Sequence, residues 1–426
     1  MTSYNVPFHL GVSGSADNQP NYRTDHLEVA VDENWVSRSS IFCALVGFFT
    51  PFTIKAAGNL PIAEWILFFA VCSAIVIRFS RQRWPDGVAN SRIFFGFIVL
   101  QVIGLLAYIV SDLYRESASR DFLRGWARMI FVGVDLLGLA TLIGTSWRRL
   151  VVLKLGFIFG VAAEAAIFGP LYGAWWKFGF ALPVTLLVLI LVGNRNRWIA
   201  SSVAVGLGLL NFSLSYRSLG AECFIVAVAV HLPRFNTFGR LVALIAMVTA
   251  AIYAMVGVFH EKTDTSFAAR HESDSERRAM VEAAANAFAE SPIIGHGSWF
   301  SNTKVVKDIE NRQAELKEGF QGYTEEQESV LTIHSQMLTA LAEGGLFGAS
   351  FFFGYAAMLI WAFAYALRTE RPQQILVIFL LVEALWNLAM TPFSGPKRIE
   401  IATAAVLTLM LWQESRGRLF WRNDYA

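Results

Sequence analysis

Three kinds of residue in this chain could do chemistry where they stand. His334 and Ser335 open an amphipathic helix in which Met337, Leu338 and Leu341 share one face. An imidazole titrates near neutrality and can take a proton from a hydroxyl. Arg217, in the run Ser215-Tyr216-Arg217-Ser218, and the neighbours Arg277 and Arg278 offer guanidinium groups. These grip phosphate oxygens through two parallel hydrogen bonds. The third kind is a sharp turn, Ser291-Pro292-Ile293-Ile294-Gly295-His296-Gly297, where Gly295 and Gly297 are most simply needed for positive φ. Glu343 follows in Leu341-Ala342-Glu343-Gly344-Gly345.

Each candidate has a plain structural alternative. A histidine at a loop end is often structural, and Arg217 could snorkel to lipid phosphates. Arg277 could pair with Glu276 or Asp274, as exposed helix charges do. His296 reads as a turn residue or an acceptor contact rather than a base. Glu343 either orients His334 or holds the start of the next span, the second being favoured. Lys397 and Arg398 read as lipid headgroup contacts ahead of contacts to an anionic ligand.

What must position these groups is a membrane bundle. The chain has 426 residues, 55% hydrophobic and only 16% charged. The charges cluster between continuous apolar runs long enough to cross a bilayer core of about 30 Å as helices. The fold class expected is all-α and polytopic. Twelve transmembrane helices are placed near 41–55, 62–78, 93–111, 126–146, 150–168, 177–193, 198–215, 218–232, 239–258, 346–367, 374–390 and 399–413. Alternate connections carry the basic residues, such as Arg148 and Arg149, Arg195 and Arg197, and Arg368 and Arg371. The positive-inside rule then puts both termini in the cytoplasm.

This gives a polar N-terminal tail (1–36), spans 1–9 (37–259), a long outer loop bearing the motifs (260–345), spans 10–12 (346–413) and a short tail (414–426). The 260–333 segment holds fourteen acidic and eight basic residues, so it has no retention signal and should be translocated to the outer side. Within it a helix is predicted over Ser275 to Ser291, capped by Asp274 or Ser275. The stretch Lys304 to Glu328 reads as solvated and mobile. Arginines on the outer side, among them Arg115, Arg120 and Arg124, need a local reason. Asp135 and Glu164 could pair across spans. Cys43, Cys72 and Cys223 lie in apolar runs and read as small buried hydrophobes. Glu325, Glu326 and Glu328 cluster as a solvated charge run, and neither a metal nor another cofactor is expected. No basic stripe supports nucleic-acid binding.

In order and topology, the glycine turn, His334-Ser335-Gln336 and Leu341-Ala342-Glu343-Gly344-Gly345-Leu346-Phe347-Gly348 resemble the O-antigen ligase and polymerase superfamily. Arg277, with Arg278 beside it, fits the family's arginine ahead of the proline, and Arg217 fits its earlier outer arginine. His296 stands where the family usually has an apolar residue, and Ser335 replaces the commoner Asn. The resemblance implies a bacterial inner-membrane glycosyltransferase with a periplasmic active face. It would move a glycan from an undecaprenyl-diphosphate donor to a glycan or lipid A core acceptor, in lipopolysaccharide or exopolysaccharide biosynthesis. His334 would be the base; Arg217 and Arg277 or Arg278 would hold the diphosphate. Gly295, His296, Gly297, Ser335 and Glu343 would support the site or the acceptor. The rival class is a lipid-linked saccharide flippase or secondary transporter, which also uses twelve spans.

Overall fold

A computed structural model describes residues 37–55, 59–81, 88–169, 174–232, 264–298, 303–316 and 333–417, with positions 239 and 242. The 1–36 tail, most of the 239–258 span and Glu325, Glu326 and Glu328 lie outside the described residues. The described residues from Arg38 onward form one compact unit.

The helices are α1 Arg38–Phe49, α2 Ile62–Arg81, α3 Arg92–Arg115, α4 Ser119–Ile143, α5 Trp147–Phe168, α6 Ala181–Val192, α7 Arg197–Ser213 and α8 Arg217–Ala229. There follow α9 Asp264–Glu290, α10 Thr303–Leu316, α11 Gln336–Gly348, α12 Ser350–Ala366, α13 Gln374–Met390 and α14 Gly395–Ser415. Helix stands at every expected span except the one outside the described residues. Among the described helices, α3, α4 and α5 are long and apolar enough to cross a membrane, and a fourth span arises if α11 and α12 are one broken crossing. Several others, α1 and α13 among them, are shorter apolar helices.

The bundle is turned outward in its chemistry. Phe95, Leu113, Leu191 and Phe159 are 61–69% exposed. Such apolar surface suits lipid rather than water. Inside, α13 and α14 are buried on nearly all sides, as expected of core helices. Gly156 and Gly160 of α5 let α1 approach until its Ala44 and Phe48 carbonyls fill the space of a Cβ. This is the small-xxx-small contact of membrane helices.

The structure corrects several expectations. The first helix ends at Phe49, short of 55, because Pro51 disfavours helix at Thr50; a hairpin of β1 Thr53–Lys55 and β2 Asn59–Pro61 follows. Helix α9 starts at Asp264, so Asp274 and Ser275 lie inside it rather than capping it. No Gly or Pro interrupts the intervening residues. Lys304 to Leu316 is not loose but forms α10. Its Ile309 joins Met280, Ala283, Ala284, Ala287, Ile333 and Ala342 in a second, small core. The short apolar set within a charged run hid that helix. Cys72 is exposed, while Cys43 and Cys223 are buried.

Candidate functional site

The site is built around a break. Helices α11 and α12 bend by 110° where Gly345 leaves helical geometry at φ 65°, ψ −160°. The freed backbone is taken up by the glycine turn. Leu346 N donates to Pro292 O at 2.8 Å, His296 N to Ala342 O at 2.9 Å and Gly297 N to Glu343 O at 3.0 Å. Gly295 and Gly297 hold φ of 79° and 86°. A Cβ on Gly295 would overlap the Glu343 carbonyl, and one on Gly345 would overlap that of Ile293. The two glycines thus let two chain reversals interlock.

Helix α3 fastens this joint. Ser111 Oγ donates to Glu343 O and accepts from Gly297 N, both at 2.9 Å. Arg115 Nε donates to Gly295 O at 3.1 Å and its Nη2 to Ser291 Oγ at 2.9 Å. Asp112 accepts from Ser298 N and Oγ, each at 2.6 Å, and from Trp126 Nε1 at 2.8 Å. The Glu343 carboxylate pairs with Arg128, buried with it, and accepts from Tyr108 OH at 3.0 Å. Arg128 also lies over the Phe393 ring at 4.8 Å. Sequence reasoning passed over Arg128, although a charge inside an apolar run is itself a signal of a specific partner. For Arg115 the local reason is the glycine turn.

His296 is buried, and its Nε2 donates to the Ala287 carbonyl at 2.8 Å. A carbonyl only accepts, so the bond fixes this nitrogen as the protonated one. That geometry ties the turn to α9. Ser335 caps α11, accepting from Leu338 N at 3.2 Å and donating to Leu388 O of α13 at 3.4 Å.

His334 stands just ahead of that cap, half-buried, beside buried Ile333. Its pKa is lowered, first by burial and then by the positive charge of Arg277, which favours the neutral imidazole. The two adjacent arginines part company. Both are exposed; the charge of Arg277 acts on His334, whereas Arg278 donates to Glu282 at 2.8 Å, one helical turn on. Glu282 also takes Arg312 of α10 at 2.7 Å.

Arg217 begins α8 and is half-buried. Among the described residues it has no hydrogen-bond or ion-pair partner. Ser215 turns the chain there with φ 65°. The charges of Lys397, Glu222, Glu383 and Glu400 act on the neighbouring Tyr216 hydroxyl. Lys397, Glu383 and Glu400 also line a small polar cavity with Lys154, Gln336 and Asn387. Its free volume of about 10 Å³ is room for roughly one water. Gln336, two residues after His334, lines this cavity, and charges of its lining act on Tyr216, the neighbour of Arg217. The lining of this cavity does not itself include Arg217, Arg277 or His334.

Lys397 and Arg398 do not face lipid headgroups as expected. Lys397 pairs with Glu400 at 2.7 Å, and buried Arg398 grips Glu64 with two bonds of 2.6 and 2.8 Å. A buried guanidinium needs such a partner. Asp135 lies within the field of that pair; among the described residues it shares no bond with Glu164. Among the described residues no three His, Cys, Asp or Glu side chains gather as metal ligands do.

A lipid-facing helical bundle, broken at one helix and fastened there to a motif-bearing loop, defines a polytopic membrane protein. Residues 178–353 match the family model for O-antigen ligase. The match supports the O-antigen ligase and polymerase superfamily and, in general terms, an enzyme of that type. It takes in Arg217, Arg277, the glycine turn, His334 and Glu343. No curated protein matches the chain.

Proposed function

We propose that this protein transfers a glycan from an undecaprenyl-diphosphate donor to an acceptor hydroxyl, at the periplasmic face of the bacterial inner membrane. The proposal takes twelve spans with both termini cytoplasmic, as the basic connections suggest. The observation that carries it is the place of His334, half-buried just ahead of the cap of α11 and within reach of the charge of Arg277.

In this reading the acceptor oxygen attacks the anomeric carbon while His334 takes its proton. The bond from that carbon to the diphosphate oxygen breaks, and undecaprenyl diphosphate leaves with the electron pair. The imidazolium then loses its proton to solvent. A single displacement inverts the anomeric centre. Arg277 and Arg217 meet the charge growing on the leaving diphosphate. Gly295, Gly297, His296, Ser335 and Glu343 hold the geometry without touching the reacting atoms. No metal is assigned a role.

The test is transfer from purified lipid-linked donor by wild type and His334→Ala at equal folded protein. Loss of transfer supports the reading; unchanged transfer removes His334 from it. In cells, a deletion that accumulates lipid-linked polymer marks a ligase acting on a lipid A core. Accumulation of single repeat units marks a polymerase. The second reading, a flippase or secondary transporter, draws on the ionisable groups gathered at the small cavity, Lys154, Glu383, Lys397 and Glu400. It predicts donor translocation that survives His334→Ala.

A further inference from the structure

A second, larger cavity lies at the opposite end of the bundle. It has a volume of about 370 Å³ and is lined by Arg195, Arg197, Glu370, Arg371 and Gln374. These belong to the α6–α7 turn, the start of α7 and the α12–α13 connection. Ser335 bonds near the end of α13, at Leu388, whereas the cavity sits at its beginning. With a rise of about 1.5 Å per residue, the two ends of that helix stand roughly 25 Å apart. This cavity is therefore separate from the His334 site.

Its chemistry is one-sided. Three guanidinium groups face one carboxylate, Glu370, which Arg197 takes at 2.9 Å. Glu414, which is not in the lining, lies 3.4 Å from Arg371 Nη1. Counting both acids leaves one positive charge over. Arg371 is 1% exposed, steadied by Thr369 and by the Tyr365 ring at 5.1 Å. Even so, its Nε and Nη1 have no hydrogen-bond acceptor. Burying guanidinium N–H groups without acceptors is costly. Helix α13 starts from Gln373 with no side-chain cap, so its first N–H groups add positive potential at the same place. Gln374 supplies the complement: its Nε2 donates to Ala366 O, while its Oε1 is buried without a donor.

We infer that this cavity binds a phosphate-bearing group that also carries a hydroxyl or ammonium donor. The phosphate oxygens accept from Arg371, Arg195 and the first turn of α13, and the donor meets Gln374 Oε1. Two sources share that chemistry: the headgroup of an anionic phospholipid and a small soluble phosphate compound. The inference is independent of glycan transfer.

The experiment is thermal unfolding of the full-length protein in neutral detergent, titrated separately with phosphatidylglycerol, diacylglycerol and inorganic phosphate. The variants are Arg195→Gln, at an exposed position, and Arg371→Lys, which keeps the charge but loses the fork. Stabilisation by phosphatidylglycerol and not diacylglycerol, weakened tenfold or more by Arg195→Gln, supports a headgroup site. The same arginine-dependent stabilisation by inorganic phosphate supports a soluble ligand. No stabilisation by either probe overturns the inference, as does stabilisation that both variants leave unchanged.

Discussion

The backbone oxygen of Glu343 occupies the space that a Cβ on Gly295 would need. With Gly295 at φ 79°, even alanine would suffer both strain and collision. Left-handed geometry alone costs a non-glycine residue roughly 1–3 kcal/mol. Gly295→Ala is expected to lower the unfolding temperature sharply and to take activity with it. Thermal unfolding in detergent checks this; a wild-type midpoint would contradict the interlocked turn.

The buried pair of Glu343 and Arg128 makes a different prediction. Removing one partner of a buried pair costs about 3–5 kcal/mol, because the other charge is stranded. Glu343→Ala should therefore be much less stable than wild type. Glu343→Leu combined with Arg128→Met should recover part of the loss. The midpoints of single and double variants measure it, and a double variant worse than the sum of the singles would refute the pairing.

With His334 as the proposed base, its imidazole should set the acid side of the pH profile. Burial and Arg277 both disfavour its protonated form, so its pKa falls below the ordinary value near 6.5. A base must be unprotonated, so kcat/KM should rise as pH climbs through that lowered value and be flat by neutrality. Arg277→Gln removes one of the two causes and should move the acid limb upward, toward 6.5. A limb that stays put would show that the guanidinium does not act on the imidazole.

Arg277 and Arg278 should differ in consequence. Losing Arg278 removes an exposed pair to Glu282, and such pairs contribute about 1 kcal/mol at most. Arg278→Ala should leave transfer within about threefold of wild type. If Arg277 donates a hydrogen bond to the leaving diphosphate, Arg277→Ala should slow transfer about 100-fold, the scale of losing one transition-state donor. Side-by-side assays on purified donor decide this.

Ser335→Ala should cost about 1 kcal/mol, the usual worth of a helix cap, with kcat changed little. Ser335→Asn should keep the cap and the stability. A large kcat loss in Ser335→Ala at unchanged stability would instead place that hydroxyl at the acceptor.

The helices were legible because apolar runs in lipid leave the backbone no choice but to bond to itself. The order of His334, Glu343 and the two glycines was legible because short motifs lie along the chain. What joins them was not. Arg128 and Glu343 are 215 residues apart, and Ser111 and Gly297 186; no local pattern announces such partners. Arg398 looked like an interfacial cation because its partner, Glu64, lies 334 residues away. Helix α10 was missed because, among its described side chains, only Ile309 and Gln313 are buried within a charged run.

The dual role of Ser111, one hydroxyl shared by two strangers in sequence, bears on engineering. The 264–298 segment is not a portable module. Cut free, its turn would lose Ser111, Asp112, Arg115 and the Glu343 carbonyl together. Grafting this segment alone onto a relative's scaffold would transplant the motif without the carpentry, so acceptor preference should be exchanged only when α3 and α11 travel with it.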